Sequence, residues 1–191
     1  MKKITALILV LVSALALCAC GSGGSNTAET PAPSAGDGGY IEMLDAAIAL
    51  IGGYSRELMD KVIPPEETEY YIDFYSHKDP PVDYLTELKN QFAEMADNYA
   101  ATYGDDWKLS YKVKTVDCKD AEGRQKYLDY DHFYFNTYGI DMSKVDDVVF
   151  VTVDIHIEGS KDSNDKEKTL QCFRYNGNWY SFYGAMMGTK L

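Results

Sequence analysis

The chain has 191 residues, 46% hydrophobic and 25% charged, with 16 Tyr, 7 Phe and 2 Trp. Its 18 Lys and Arg stand against 30 Asp and Glu, a formal net charge of −12. This composition excludes a polytopic membrane protein, a disordered acidic tail and a disulfide-dense miniprotein. The negative field repels polyanions, so nucleic acid and anionic lipid headgroups are poor partners, and a cationic ligand or plain solubility suits the charge better.

Met1-Lys2-Lys3 is a short positive stretch, and Ile4 to Leu17 is a mostly apolar run, too short to span a bilayer and typical of a secretory signal. Leu17-Cys18-Ala19-Cys20 follows, with an aliphatic residue three places before Cys20 and small residues between. This resembles the lipobox of bacterial lipoproteins. The resemblance implies a signal peptide over 1–19, lipid on Cys20, and a protein held on the outer side of the cytoplasmic membrane. Choosing Cys18 as acceptor would put bulky Leu17 where the signal peptidase takes small side chains. The competing reading is an ordinary cleaved signal and a free secreted protein. Two or more acyl chains, at about 0.8 kcal/mol per buried CH₂, anchor a protein stably, whereas one holds it marginally. Gly21 to Gly39 is almost entirely Gly, Ser, Ala, Thr and Pro, so residues 20–39 read as a flexible linker.

Residues 40–191 suffice for a single domain. Ile41, Leu44, Ile48, Ile51, Leu58 and Val62 recur at three and four, with Ser55 filling the missing place, which predicts a helix over 40–62 bent at Gly52-Gly53. Pro64-Pro65 stops it, and Glu66–His77 forms a short second helix carrying Tyr70, Tyr71, Phe74 and Tyr75. Leu85, Leu88, Phe92, Met95, Tyr99 and Tyr103 mark a third, ending at Gly104. From Trp107 to Lys114 apolar residues alternate with polar ones, as in a strand with one wet face. Residues 121–138 return to helical spacing. Val149, Val151, Val153, Ile155 and Ile157 are the inward row of a long strand, whose other row starts apolar (Val148, Phe150) and ends polar (Asp154, His156, Glu158). That strand is covered on both faces at its start and on one at its end.

Gly159–Lys166 reads as a polar loop. Thr169–Tyr175 and Asn178–Gly184 flank Asn176-Gly177, a two-residue hairpin turn. The turn sets Tyr175 opposite Asn178, Arg174 opposite Trp179, Phe173 opposite Tyr180, Cys172 opposite Ser181 and Leu170 opposite Tyr183. One hairpin face then carries Leu170, Cys172, Arg174, Trp179 and Tyr183, and the other Phe173, Tyr175, Tyr180 and Phe182. Both faces are aromatic, so either helices cover one and a partner the other, or ring edges stay at the surface. With Phe150, the second row makes a candidate partner face.

Candidate chemistry is sparse. Cys118 and Cys172 either pair, worth about 4 kcal/mol on the chain-entropy model, or remain half-buried thiols. Neither has a His near it in sequence. His77, His132 and His156 are the only histidines. Asp154 shares a strand face with His156, and only Asp129 can share a helix face with His132, because Asp131 points about 200° from Asp129. Zinc needs three or four convergent ligands, and Asp162, Asn164 and Asp165 lack the glycine and closing Glu of a calcium loop, so no metal or cofactor is expected. Tyr127, Tyr130, Tyr134 and Tyr138 share a stripe and, with Trp179, either line a pocket for a small amphipathic ligand or pack as core.

The order of helices, strand, crossing helix and three strands, closing on Tyr175-Asn176-Gly177-Asn178-Trp179-Tyr180, is similar to the cystatin-like, nuclear-transport-factor-like α+β fold. Together with Tyr103-Gly104-Asp105-Asp106-Trp107-Lys108-Leu109-Ser110-Tyr111, it resembles a group of small lipoproteins of unknown function from Gram-positive-type bacteria. The resemblance implies N-terminal helices packed on a curved four-stranded antiparallel sheet around a cone-shaped cavity. Enzymes of that superfamily carry an Asp–His or Tyr–Asp pair in the cone, and no such pair maps onto these residues. The expectation is a non-catalytic, membrane-anchored module binding a small ligand or an envelope protein. Its alternative is an enzyme with an acid or base inside the cone.

Overall fold

The computed structural model describes residues 38–184. The signal segment, Cys20 and most of the linker lie outside them. Among the described residues five helices and four strands follow in the order helix, helix, helix, helix, strand, helix, strand, strand, strand. Helix α1 (Tyr40–Gly52) ends short of residue 62, where the single bent helix was expected to end, because the bend at Gly52-Gly53 is a break. The Gly53 amide closes α1 on the carbonyls of Ala49 and Leu50, and α2 (Arg56–Val62) starts anew with Ser55 as its cap, accepting from the Leu58 amide at 3.4 Å. The serine that seemed to fill a gap in one long stripe is therefore a start signal. Pro64-Pro65 opens α3 (Pro65–Ser76), and Asp83 caps α4 (Tyr84–Tyr103) by accepting from the Leu85 and Thr86 amides.

Strand β1 (Lys108–Cys118) runs four residues beyond the expected end. A bulge between Val113 and Thr115 gives Lys114 no partner in the β1–β2 register, so the alternation breaks and Val113 and Val116 both pack on the same core. Asp120 caps α5 (Ala121–Tyr138) through the Gly123 amide at 2.8 Å, and Gly139, at φ 74°, ends it. After a single 3₁₀ turn come β2 (Val145–Glu158), β3 (Ser163–Tyr175) and β4 (Asn178–Tyr180). The sheet is antiparallel throughout, in the order β1-β2-β3-β4.

The polar loop expected at 159–166 is strand in its second half: the Gly159 amide donates to the Asp162 carbonyl at 3.0 Å and β3 begins at Ser163. Only glycine fits at 159, because a Cβ there would lie 2.2 Å from the Tyr103 carbonyl oxygen. Around Asn176-Gly177, both at positive φ, the register is the one predicted for the first three pairs. It then stops. The Ser181 amide donates to the Val62 carbonyl at 2.9 Å, so Cys172–Ser181 and Leu170–Tyr183 do not form ladder pairs.

Each face of the sheet has its own apolar cluster. On one, α1, α2 and α4 cover Val149, Val151, Val153, Ile155 and Ile157 of β2, with Leu170, Cys172 and Trp179. On the other, α5 covers Val148, Phe173, Tyr175, Tyr180 and Phe182, with Phe150 packed at the margin. Farther along that second face β2 and β3 are wet: the Thr152 and Thr169 hydroxyls bond at 2.9 Å, and Lys114 bridges Glu167 at 2.5 Å and Asp154 at 3.5 Å.

The cysteine alternatives are decided by register. Cys118 stands opposite Val149, and Val149 opposite Cys172, so the two thiols lie two strands apart. At about 4.8 Å per strand their Cα atoms are roughly 10 Å apart, beyond disulfide reach. Both are free, with Cys172 buried and its thiol pushed up to about 12 by desolvation. Iodoacetamide should label Cys118 in the folded protein, and Cys172 only after unfolding without reductant. A mass lower by two hydrogens before any reductant is added would contradict the register argument.

Candidate functional site

The five residues expected to line a pocket are not brought around one, and only Tyr134 and Tyr138 among them share a ring contact. Tyr127 is buried, edge-on to Phe135 at 6.1 Å and to Phe150 at 5.9 Å. Trp179 lies on the opposite face of the sheet, edge-on to Tyr40 at 5.9 Å. Tyr130 is 81% exposed and Tyr134 47%. The inward stripe of α5 runs through Tyr127, Leu128, Asp131 and Phe135. At 100° per residue its centre points more than 100° away from Tyr130. Tyr138 is half-buried and shares a hydroxyl–hydroxyl bond of 3.0 Å with Tyr71 of α3.

The candidate partner face is likewise closed. Phe173, Tyr175, Tyr180 and Phe182 are buried beneath α5, and Phe150 is partly covered, with the Lys119 ammonium 4.3 Å above its ring. The chain itself supplies what a partner was expected to supply.

Of the histidines, His77 has a hydroxyl beside it, Ser76 Oγ at 3.2 Å from its Nδ1, and that pair is exposed at the end of α3. The Nδ1 atoms of His77 and His132 lie 2.8 Å from the Asp73 and Asp129 carbonyl oxygens of their own helices. His156 pairs with Asp165 of β3 at 2.7 Å and Glu158 at 3.5 Å rather than with Asp154, and the Asp165 bond raises its pKa. Among the described residues no three His, Cys, Asp or Glu are grouped to hold a metal ion.

Two features went unread in the sequence. The first is a buried acid. Glu67, in the first turn of α3, is 1% exposed, and its carboxylate accepts the Tyr183 amide at 3.2 and 3.4 Å. Close enough to feel its charge are the phenols of Tyr71, Tyr84, Tyr138 and Tyr183. Desolvation outweighs the amide bond and pushes its pKa up to about 8. Beside it, Glu66 accepts the Tyr175 hydroxyl at 2.9 Å. Thr68 Oγ1 and Ser181 Oγ are buried with no hydrogen-bond partner among the described residues. Asp131, on the inward stripe of α5, is also raised by burial and faces the Tyr127 hydroxyl.

Two hollows at the surface of the described residues lie away from these acids. One, of about 260 Å³, lies among Glu42, Asp60, Lys61, Asn178 and Trp179. The other, of about 20 Å³ between α1 and the sheet, is lined by Leu44, Ile48, Tyr111 and Leu170 among others and has room for little more than one water.

The second feature is an aromatic ridge across α3 and α5. Phe74 (49% exposed) stacks on Tyr70 at 6.1 Å, Tyr70 meets Tyr138 at 5.3 Å, Tyr138 stacks on Tyr134 at 6.3 Å, and Tyr134 touches Phe133 (65% exposed) at 5.7 Å. Tyr134 is also 5.8 Å from Phe182, which ties the ridge to the core. Tyr130 stands one helical turn before Tyr134. The signal was present in sequence as aromatic residues on more sides of 121–138 than one buried stripe can use.

The acid makes a pH prediction. The unfolded chain loses the Glu67 proton near pH 4.5, whereas the fold keeps it to about pH 8. Over that window the unfolded state binds fewer protons, so stability falls as pH rises, by about 1.4 kcal/mol per pH unit at most. Glu67→Gln keeps an acceptor for the Tyr183 amide. Chemical denaturation should show the variant losing less stability than the parent between pH 5 and 8, and exceeding it at pH 8. Parallel curves would contradict the burial of a neutral acid.

No family model, curated protein or solved structure matches this chain, and its function has to be read from the ridge and the closed interior beneath it.

Proposed function

We propose that this protein is a lipoprotein anchored through Cys20 to the outer side of the cytoplasmic membrane, and that its α+β domain is a non-catalytic module that binds another envelope protein. The observation that carries the reading is the ridge: Phe133, Tyr134 and Phe74 are held at the surface by ring contacts, with exposed Tyr130 one helical turn before Tyr134, although the core beneath them is already complete. Single exposed aromatics are ordinary, whereas a contiguous group of them marks an interaction surface. The lipobox Leu17–Cys20 and the linker after it support the address. Helices packed on a four-stranded antiparallel sheet support a variant of the cystatin-like, nuclear-transport-factor-like fold, here with α5 on the face opposite α1, α2 and α4.

The enzyme alternative would need an acid opening onto a substrate. Glu67 has the raised pKa of a general acid, yet neither hollow reaches it.

Two measurements test the proposal. Mass spectrometry of the mature N-terminus should find a lipid-modified Cys20, and Cys20→Ala should shift the protein from the membrane to the medium. A photo-crosslinker at Phe133 should join the protein to a discrete partner in intact cells, while one at Thr115, on the wet part of the sheet, should not. An unmodified N-terminus would end the anchoring part, and equal crosslinking from both positions the binding part.

A further inference from the structure

Resting on that reading, we infer that the ridge receives a basic amphipathic segment of its partner, with Arg or Lys side chains laid on the exposed rings and their charges answered by the acids at the margins. The ridge is apolar along its crest and acidic at its sides. Helix α3 exposes Glu69 and Asp73 and contains no Lys or Arg, and the second half of α5, from Tyr127 to Tyr138, exposes Asp129 and contains no Lys or Arg. Asp73 follows Tyr70 by three residues and Asp129 precedes Phe133 by four, the spacings at which helical side chains are neighbours. Both carboxylates are outward: Asp73 lies 3.7 Å from the exposed His77, and Asp129 accepts the Gln125 amide at 2.9 Å.

The surface already holds one cation. The Lys78 ammonium lies 3.7 Å from the centre of the Tyr75 ring and 5.4 Å from that of Phe74, at the end of the ridge. It does within the chain what an incoming Lys or Arg would do along the rest of the crest. The other nearby base, Lys126, four residues before Tyr130, is occupied by Glu122 at 2.7 Å. His132 lies on the far side of α5 and turns its Nδ1 to the Asp129 carbonyl.

Charge also decides among occupants. A second copy docking through the same face would bring two acidic margins together, and an anionic lipid surface would meet the same repulsion within a net charge of −12. A basic segment meets neither, and its apolar side chains cover the rings.

The test uses the full chain and an amphipathic peptide of alternating Leu and Arg pairs, with a Glu-for-Arg counterpart and vesicles of mixed neutral and anionic phospholipid as competitors. Calorimetry should show the basic peptide binding about tenfold or more tightly than the acidic one, and weakening as salt rises. Tyr130→Ser with Phe133→Ser, at the two most exposed rings, should remove about tenfold of that affinity, with circular dichroism and melting temperature unchanged. Asp73→Asn with Asp129→Asn should keep the rings but flatten the salt dependence. Equal affinity for both peptides, preferential binding to the vesicles, or a self-association abolished by the ring substitutions would overturn the inference. If no basic peptide binds while the crosslink from Phe133 persists in cells, the partner is not cationic and only the binding-module reading survives.

Discussion

The end of the sheet that holds β4 carries apolar side chains on both faces, and neither can be left in water. On β2, Val149 and Val151 alternate with Val148 and Phe150; on β3, Leu170 and Cys172 alternate with Phe173 and Tyr175. An antiparallel sheet commonly buries one face and wets the other. Here that holds only beyond Thr152 and Thr169, where the second row becomes Asp154, His156, Asp165 and Glu167. The polar switch along a single strand decides how much sheet a second layer must cover, and α5 spans only that apolar end.

The placement of α5 has consequences for the surface. Its inner stripe, Tyr127, Leu128, Asp131 and Phe135, is consumed by Phe173, Phe182 and their neighbours, with Phe135 lying 5.1 Å from Phe173 and 5.0 Å from Phe182. Tyr130, Phe133 and Tyr134 are then surplus to the core. Helix α3 closes the open side of this layer, and its junction with α5 is built of phenols rather than aliphatics, joined by the Tyr71–Tyr138 bond. Phenols bring hydroxyls into the interior, and Glu67 sits among them as a neutral acid. The cost of burying it is limited because its proton stays on and its oxygens accept a backbone amide.

Periodicity made most of the fold legible. Three of the helices, α3, α4 and α5, fall within a residue of the spans expected from the prolines, Gly104 and the apolar spacing, and Asn176-Gly177 set the register of the last hairpin through Tyr180. What escaped notice were local events that disturb a period. A capping serine imitated a stripe position, a bulge at Lys114 shifted the inward row of β1, and a tight turn at Gly159 continued strand pairing into residues that composition marks as loop. The site was less legible for another reason. Four tyrosines at helical spacing look alike in sequence, and only the neighbours Leu128 and Asp131, which rotate the buried stripe, separate Tyr127 inside from Tyr130 outside. Glu67 could not be seen as buried, since Glu at the start of a helix is usually a solvated charge favoured by the helix dipole.

An aromatic side chain held at the surface by other rings differs from one standing alone. Tyr70, Phe74, Tyr134 and Phe133 each touch a neighbour, and the series is fastened at Tyr138 to Tyr71 and at Tyr134 to Phe182. Their rotamers are therefore restricted before anything binds, and the entropy a partner would otherwise have to remove has been given up during folding. The same packing keeps the rings from collapsing onto the domain, because the space beneath them is filled by Phe135 and Phe182. A ridge that is rigid, raised and unable to bury itself is suited to be covered from outside, and the completeness of the core beneath it makes the exposed rings a surface rather than a packing defect.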